Sequence, residues 1–184
     1  MLTRERAFEL VEEYTKNRNL IKHMLAVEAA MRAYARKFGE DEEKWAVTGL
    51  IHDFDYEKMG DNHPSEWGYE LLRNEGASED IIDAIKGHAA RNDPSTRKDN
   101  MSRALFASDE LTGFIVAVAL VRPDQLSGVE LSSIKKRFKD KAFARGVVRE
   151  DIFNGAEELG IPVDEHIQIV LDAMKGIKEE LGLK

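Results

Sequence analysis

Apolar residues recur at helical spacing through nearly the whole chain, and no other feature limits its fold as strongly. Leu20, Met24, Val27, Met31 and Tyr34 form one such series. Residues three and four apart lie on the same face of a helix, whereas a strand needs strict alternation, and no alternating run here is long enough for one. The 184 residues also include only 4 prolines, which interrupt helices. The sequence therefore predicts an all-α fold.

Capping residues indicate where several helices begin and end. Gly39 is suited to close the second helix, and Asp41 to cap a third that continues through His52. Pro64 is suited to the first turn of a fourth helix. A long helix is expected over about 101–121. Beyond residue 125 the spacing predicts further helices over Leu131–Ala144, Glu150–Leu159 and Asp164–Leu181.

The length and composition are those of one globular domain. A chain of 184 residues with 42% hydrophobic and 34% charged residues is large enough to bury one substantial core. No segment reads as a flexible linker. We therefore predict a single domain over residues 1–184, with a core at about 18–121 and a C-terminal helical extension at about 125–184.

Charge and cysteine content exclude several functional classes. The net charge of −8 argues against duplex nucleic acid as a partner, because neutralising phosphates needs a basic face. The chain has no cysteine, so disulfides and thiolate metal sites are excluded. The longest apolar run, near 114–120, is far shorter than the ~20 residues that cross a bilayer, and residues 1–6 contain no signal-peptide core. We predict a cytoplasmic protein with no membrane segment.

A His-Asp doublet, His52-Asp53, lies in a stretch that otherwise reads as core, residues 47–54. Burying polar side chains without partners costs roughly 2–7 kcal/mol, so something must satisfy this doublet. Imidazole and carboxylate groups together are typical ligands of divalent transition metals. Four of the five histidines, with two aspartates, sit at inward helical positions and form a candidate metal-binding set: His23, His52, Asp53, His63, His88 and Asp109.

This pattern resembles the HD-domain superfamily of metal-dependent phosphohydrolases, which is named for the doublet. The superfamily signature is a histidine, a His-Asp pair and a later aspartate, matched here by His23, His52-Asp53 and Asp109. A subset adds two histidines that carry a second metal, and His63 and His88 fall where those would be. His63 also opens a His-Pro turn with a following glycine, similar to that subset. The resemblance covers roughly residues 18–120.

The sequence departs from the family pattern at two positions. Phe54-Asp55 follows the doublet where many members have Ile-Gly, and Ala89 follows His88 where some members have a second histidine. These departures bear on the substrate class more than on the metal.

The resemblance implies an HD-domain helical bundle that binds one or two divalent ions, with manganese, iron, zinc, nickel, cobalt and magnesium as candidates. Six ligands exceed what one catalytic ion needs, since such an ion keeps a position open, and Asp53 is the natural bridging and catalytic carboxylate. A metal-activated water would then attack a phosphomonoester or phosphodiester, expected to be a nucleotide or a small phosphorylated metabolite.

Several other polar residues have two interpretations. Lys58 is a candidate contact for substrate phosphate, as in many relatives, or a solvated lysine near a helix end. Asp55 and Asp61 are candidate partners for ligating imidazoles or surface carboxylates. Arg91 is a candidate clamp for an anionic substrate or an ordinary loop arginine. His166, outside the ligand pattern, follows two acidic residues, and we expect it to be exposed.

Two alternative functions remain open from the sequence. Some HD-domain relatives with the same six-ligand arrangement hold two irons and oxidise a substrate carbon with oxygen, which makes a di-iron oxygenase the first alternative. The second is a non-catalytic module that senses a nucleotide or metal. The basic cluster at 135–139 would suit a nucleotide or acidic partner, but a solvated helix face is the more common outcome for such a run.

Overall fold

The protein consists of helices and turns without any strand, which confirms the predicted all-α class. The computed structural model describes residues 1–184. None of the helices combines the length and apolar character needed to cross a bilayer. The helices are α1 (Arg4–Tyr14), α2 (Arg18–Phe38), α3 (Glu42–Ile51), α4 (Tyr56–Met59), α5 (Glu66–Asn74), α6 (Glu79–Ala89), α7 (Asn100–Leu120), α8 (Leu131–Phe138), α9 (Arg149–Leu159), α10 (Val163–Gly176) and α11 (Lys178–Leu181).

Helix boundaries follow capping chemistry at several positions. Gly39 ends α2 in the left-handed conformation with φ 70°, as predicted, and such a backbone favours glycine. The Asp41 side chain accepts a hydrogen bond from the backbone N–H of Lys44 and begins α3, also as predicted. Asp99 and Ser102 form a capping box that begins α7.

The long helices α2 and α7, each of 21 residues, pack against one another at the centre of the bundle. Helix α3 lies across α2, and α6 lies against α7. The contact between α2 and α3 requires Gly49, because a Cβ there would lie 2.9 Å from Met31 Cγ and 3.0 Å from Glu28 Cα. This close approach brings the end of α3 next to the middle of the bundle.

The C-terminal extension packs directly on α7. A Cβ at Gly155 of α9 would lie only 2.5 Å from Ala107 Cα, so the two helix backbones are nearly in contact. Helix α10 packs against both α2 and α7, with Ile167 and Val170 buried. Side chains from the extension and from the N-terminal helices belong to one hydrophobic core.

Four predicted helix boundaries are wrong. Helix α3 ends at Ile51, so the doublet lies just past its end and not inside it. Pro64 precedes α5, because Ser65 caps that helix by accepting from Gly68 N at 3.0 Å. The helix from Leu131 ends at Phe138, and turns occupy 141–146. The last predicted helix is divided into α10 and α11 at Ile177.

The expected exposure of His166 is also wrong, because its side chain is completely buried. His166 Nε2 donates to the carbonyl oxygen of Ala107 at 2.9 Å, so Nδ1 accepts from the Tyr34 hydroxyl at 2.5 Å. A neutral imidazole satisfies both contacts. The side chain therefore attaches α10 to α2 and α7.

Candidate metal centre

The candidate ligands come from five different places in the chain and converge between the helices. Three helices, α2, α6 and α7, each contribute one ligand, and the doublet follows the end of α3. The six side chains are His23 from α2, His52 and Asp53 after α3, His63 from the turn before α5, His88 from α6 and Asp109 from α7.

Four of these side chains form a first group able to hold a metal: His23, His52, Asp53 and Asp109. His23 Nε2 lies 3.0 Å from Asp109 Oδ1 and 3.6 Å from Asp53 Oδ2. His52 Nε2 lies 3.4 Å from Asp53 Oδ2 and 3.6 Å from Asp109 Oδ1. Two imidazole nitrogens and two carboxylate oxygens therefore face a common point.

A second group consists of Asp53, His63 and His88. His63 Nε2 lies 2.8 Å and His88 Nε2 3.5 Å from Asp53 Oδ1. Asp53 thus directs Oδ2 toward the first group and Oδ1 toward the second. A carboxylate in this position is able to contribute one oxygen to each of two ions.

Backbone carbonyls determine which nitrogen of two imidazoles carries the proton. His52 Nδ1 lies 2.7 Å from the Gly49 carbonyl oxygen, and His88 Nδ1 lies 2.5 Å from that of Ile85. A carbonyl oxygen only accepts, so Nδ1 must donate in both cases. The lone pair of each neutral ring is then on Nε2, which faces the carboxylates. This is the tautomer that a metal ligand requires.

Thr112 has the same effect on His23. Its hydroxyl donates to the Asp109 carbonyl oxygen at 2.8 Å, and His23 Nδ1 lies 3.3 Å from the same Oγ1. Because the hydroxyl proton is already used, Oγ1 accepts from Nδ1–H. This role of Thr112 is not predicted from the sequence, where its position three residues after Asp109 is the one signal of it.

Asp55 is the hydrogen-bond partner of the His63 imidazole, as one of the two sequence-based interpretations of Asp55 predicts. Its Oδ1 lies 2.5 Å from His63 Nδ1, and its Oδ2 accepts from Ser65 N at 3.1 Å and Ser65 Oγ at 2.6 Å. A Cβ at Gly68 would lie 2.5 Å from Asp55 Oδ2. The glycine after the His-Pro turn therefore makes room for the carboxylate that orients His63.

The pKa values show how strongly these groups are coupled. Burial is the largest single influence on the pKa of His52 and lowers it, but the carboxylates of Asp53 and Asp109 together outweigh burial and raise the pKa well above its usual value. Burial likewise opposes a raised pKa at His63, where the adjacent carboxylates of Asp53 and Asp55 bring the pKa to about 9. Burial raises the pKa of Asp109, yet His23 and His52 hold it below its usual value. Protons and metal ions would compete for the same imidazoles.

The buried nitrogens test whether a metal fits. His52 Nε2 and His63 Nε2 are buried and have no hydrogen-bond partner. Such atoms are uncommon in folded proteins because an unsatisfied buried polar group is costly. Both point at carboxylate oxygens within a set of nitrogen and oxygen donors that suits divalent transition metals. The structure therefore contains His/Asp groups able to hold a metal.

The remaining candidates have different surroundings. Lys58 Nζ lies 3.8 Å from the centroid of the Trp67 ring and 5.3 Å from that of Tyr14, so the ammonium packs on an aromatic face. Its contact with substrate stays a prediction. Arg91 forms ion pairs with Asp151 and Glu110, which join the loop after α6 to α7 and α9. Asp61 is exposed.

Comparison with known proteins agrees with the sequence pattern and with this geometry. The HD domain family model matches residues 20–113, slightly more than half of the chain and a range that contains every candidate ligand. No curated protein and no solved structure matches the chain. The chain belongs to the HD-domain family.

Proposed function

We propose that this protein is a metal-dependent phosphohydrolase that hydrolyses a phosphomonoester or phosphodiester of a small compound. The observation that supports this most directly is the division of the ligands into two groups that share Asp53. Two ions about 3.5–4 Å apart can stabilise both the attacking and the leaving oxygen when a phosphate ester is hydrolysed, and a carboxylate shared by two ligand groups is suited to hold such a pair.

His23, His52, Asp53 and Asp109 would hold the first ion, and Asp53, His63 and His88 the second. Bound divalent ions supply a nucleophilic water at neutral pH and neutralise charge on the phosphoryl group. Asp53 directs one oxygen toward each group, and its negative charge would offset the repulsion between two bound cations.

The surrounding residues keep the ligands in place and restrict access of water. The Nδ1 atoms of His52, His63 and His88 donate to Gly49, Asp55 and Ile85, so these three rings do not rotate freely. Their side chains are also buried, which leaves His23 and Asp109 as the more accessible ligands. A substrate would approach from the side where these two residues lie.

The test combines metal analysis with a panel of phosphorylated compounds. Purified protein is analysed for bound metals and then assayed for phosphate release with manganese, cobalt, zinc, nickel, magnesium or iron supplied. We expect release from at least one small phosphoester, its loss with chelator and its recovery when metal is restored. The Asp53→Asn variant serves as the inactive comparison. A metal-replete protein that releases no phosphate but binds iron and consumes oxygen would contradict the proposal in favour of the di-iron oxygenase.

A further inference from the structure

The six candidate ligands of the metal centre differ in their exposure to solvent. The side chains of His52, His88 and His63 are 0%, 5% and 7% exposed. Those of His23 and Asp109 are 22% and 27% exposed. The two most exposed ligands therefore come from α2 and α7, and the accessible side of the centre is the side of these two residues.

A cavity of about 380 Å³ adjoins His23 on this side. One wall is the face of α7 that follows Asp109 and includes Val116 and Leu120. The opposite wall is the segment Leu181–Leu183, and Lys22 lies between them. Ligand pockets commonly have volumes of roughly 300–1,000 Å³, so this cavity has the size for a small metabolite.

The wall formed by Leu181–Leu183 is held in position without a ligand. Leu181 and Leu183 are buried, and Leu183 N donates to the Lys178 carbonyl oxygen at 2.8 Å. Next to this segment, Lys184 N donates to Gln125 Oε1 at 2.7 Å and its carbonyl accepts from Ser127 N at 3.0 Å. The cavity is therefore preformed.

Lys22 is the cationic group of this cavity and has no carboxylate within ion-pairing distance. It is half-buried, and its ammonium lies over Gly182, where a Cβ would be 2.8 Å from Nζ. Gly182 has φ 68°, a backbone that favours glycine, and its missing side chain leaves room for the ammonium. Lys22 does not pair with the aspartates of the metal centre, so its charge is available to a ligand.

The other side chains of the cavity determine which ligands fit it. Val116, Leu120, Leu181 and Leu183 are aliphatic, and Asn19 adds one amide. The lining contains no carboxylate, and its one ring is the imidazole of His23, which is a candidate metal ligand. Leu120 is 64% exposed, which leaves an apolar surface at the entrance. An aliphatic ligand body with one anionic group fits this lining better than a nucleotide does.

We propose that this cavity binds the non-phosphate part of the substrate, and that the substrate is a small phosphate ester with an aliphatic body and a second anionic group, such as a carboxylate, bound by Lys22. This inference rests on the proposed function, because it places the phosphate at the metal centre. Val116 and Leu183 contact the aliphatic body, and Lys22 is the residue that determines specificity.

The test uses two non-hydrolysable probes on the metal-loaded protein, pentylphosphonate and 5-phosphonopentanoate, which differ by one carboxylate. Binding is measured by calorimetry and by methyl NMR. We expect both probes to shift the methyl signals of Val116 and Leu183. The carboxylate-bearing probe should bind at least about tenfold more tightly, as expected for a hydrogen bond between charged groups. Lys22→Gln should abolish this difference while bound metal is unchanged.

Two further variants provide comparisons. Val116→Phe should fill the cavity and weaken both probes, whereas Val121→Phe, on the exposed end of α7 and outside the cavity, should weaken neither. Lys175→Gln, which also removes a half-buried lysine without an ion pair, should leave the tenfold preference intact.

Equal affinities of the wild type for the two probes, or unshifted Val116 and Leu183 signals, would overturn the inference about the cavity. Because binding needs no turnover, the two proposals fail separately. A protein that binds the probes as described but releases phosphate from no ester would overturn the proposed function and support the cavity.

Discussion

Replacing Asp55 with asparagine should weaken the second metal group selectively. Asp55 accepts from His63 Nδ1 through one oxygen and from Ser65 N and Oγ through the other. An asparagine of the same shape has only one accepting oxygen. If that oxygen faces Ser65 N–H, the amide NH2 faces His63 Nδ1, which must then give up its proton. The proton moves to Nε2, where it blocks the lone pair directed at Asp53.

The opposite orientation of the amide is also unfavourable. If the asparagine oxygen accepts from His63, its NH2 meets the backbone N–H of Ser65, and a buried donor is left unsatisfied at a cost of about 1–3 kcal/mol. In either case the ligand-competent tautomer of His63 becomes more costly by an amount of this order. Since 1.4 kcal/mol corresponds to tenfold, the affinity of the second group should fall by roughly 10- to 100-fold, as found for such outer partners elsewhere.

Calorimetric titration of metal into the metal-free protein measures this loss, and ¹⁵N NMR of the imidazole reports the tautomer of His63. The first group should be unaffected, because Gly49 orients His52 independently. Asp61→Asn is the matched control, as it removes an exposed aspartate close to the same turn. If Asp55→Asn binds both equivalents with unchanged affinity, or loses both equally, the tautomer argument is refuted.

Three further predictions concern the metal centre and the buried His166. His63→Ala or His88→Ala should reduce the bound metal from two ions toward one in a folded protein, whereas Asp53→Asn should disturb both ions. Elemental analysis measures the bound metal, and full stoichiometry and activity in both histidine variants would contradict the two-ion arrangement. A metal ion must displace the proton from His63, whose pKa is about 9. The affinity of the second group for metal should therefore rise with pH up to that value, and binding should release protons. Calorimetric titrations in buffers of different ionisation enthalpy measure the released protons. Burial lowers the pKa of His166 to about 4, below its unfolded value near 6.5. The contribution of His166 to the free energy of unfolding should therefore be constant above pH 6.5, fall by up to about 3 kcal/mol between pH 6.5 and 4, and change no further below pH 4. Urea unfolding of the wild type and of His166→Phe at each pH measures this loss, and equal pH dependence in both proteins would contradict it.

The metal centre shows how far sequence reasoning extends. Residue type, inward helical position and family resemblance predict the six candidate ligands as a set, and all six lie in the two groups. The predicted helical positions are wrong for His52, Asp53 and His63, which lie in turns between helices. The bridging position of Asp53 is also predicted, but the sequence does not predict which carboxylate oxygen faces which group. That orientation depends on where α3 ends, and the prediction that α3 continues through His52 was wrong. Asp53 faces both groups because the chain turns immediately after Ile51.

The sequence by itself determined the helical class, because the 3.6-residue period of apolar side chains is a local property and so are caps such as Gly39 and Asp41. Only the tertiary structure decided contacts between distant segments. Two acidic neighbours made His166 look exposed, yet the residues that bury it, Tyr34 and Ala107, are 132 and 59 positions away. Local periodicity carries information over one or two turns of helix. Burial, tautomer and the shape of a cavity depend on which helices meet, and that is determined by the packing of the whole core.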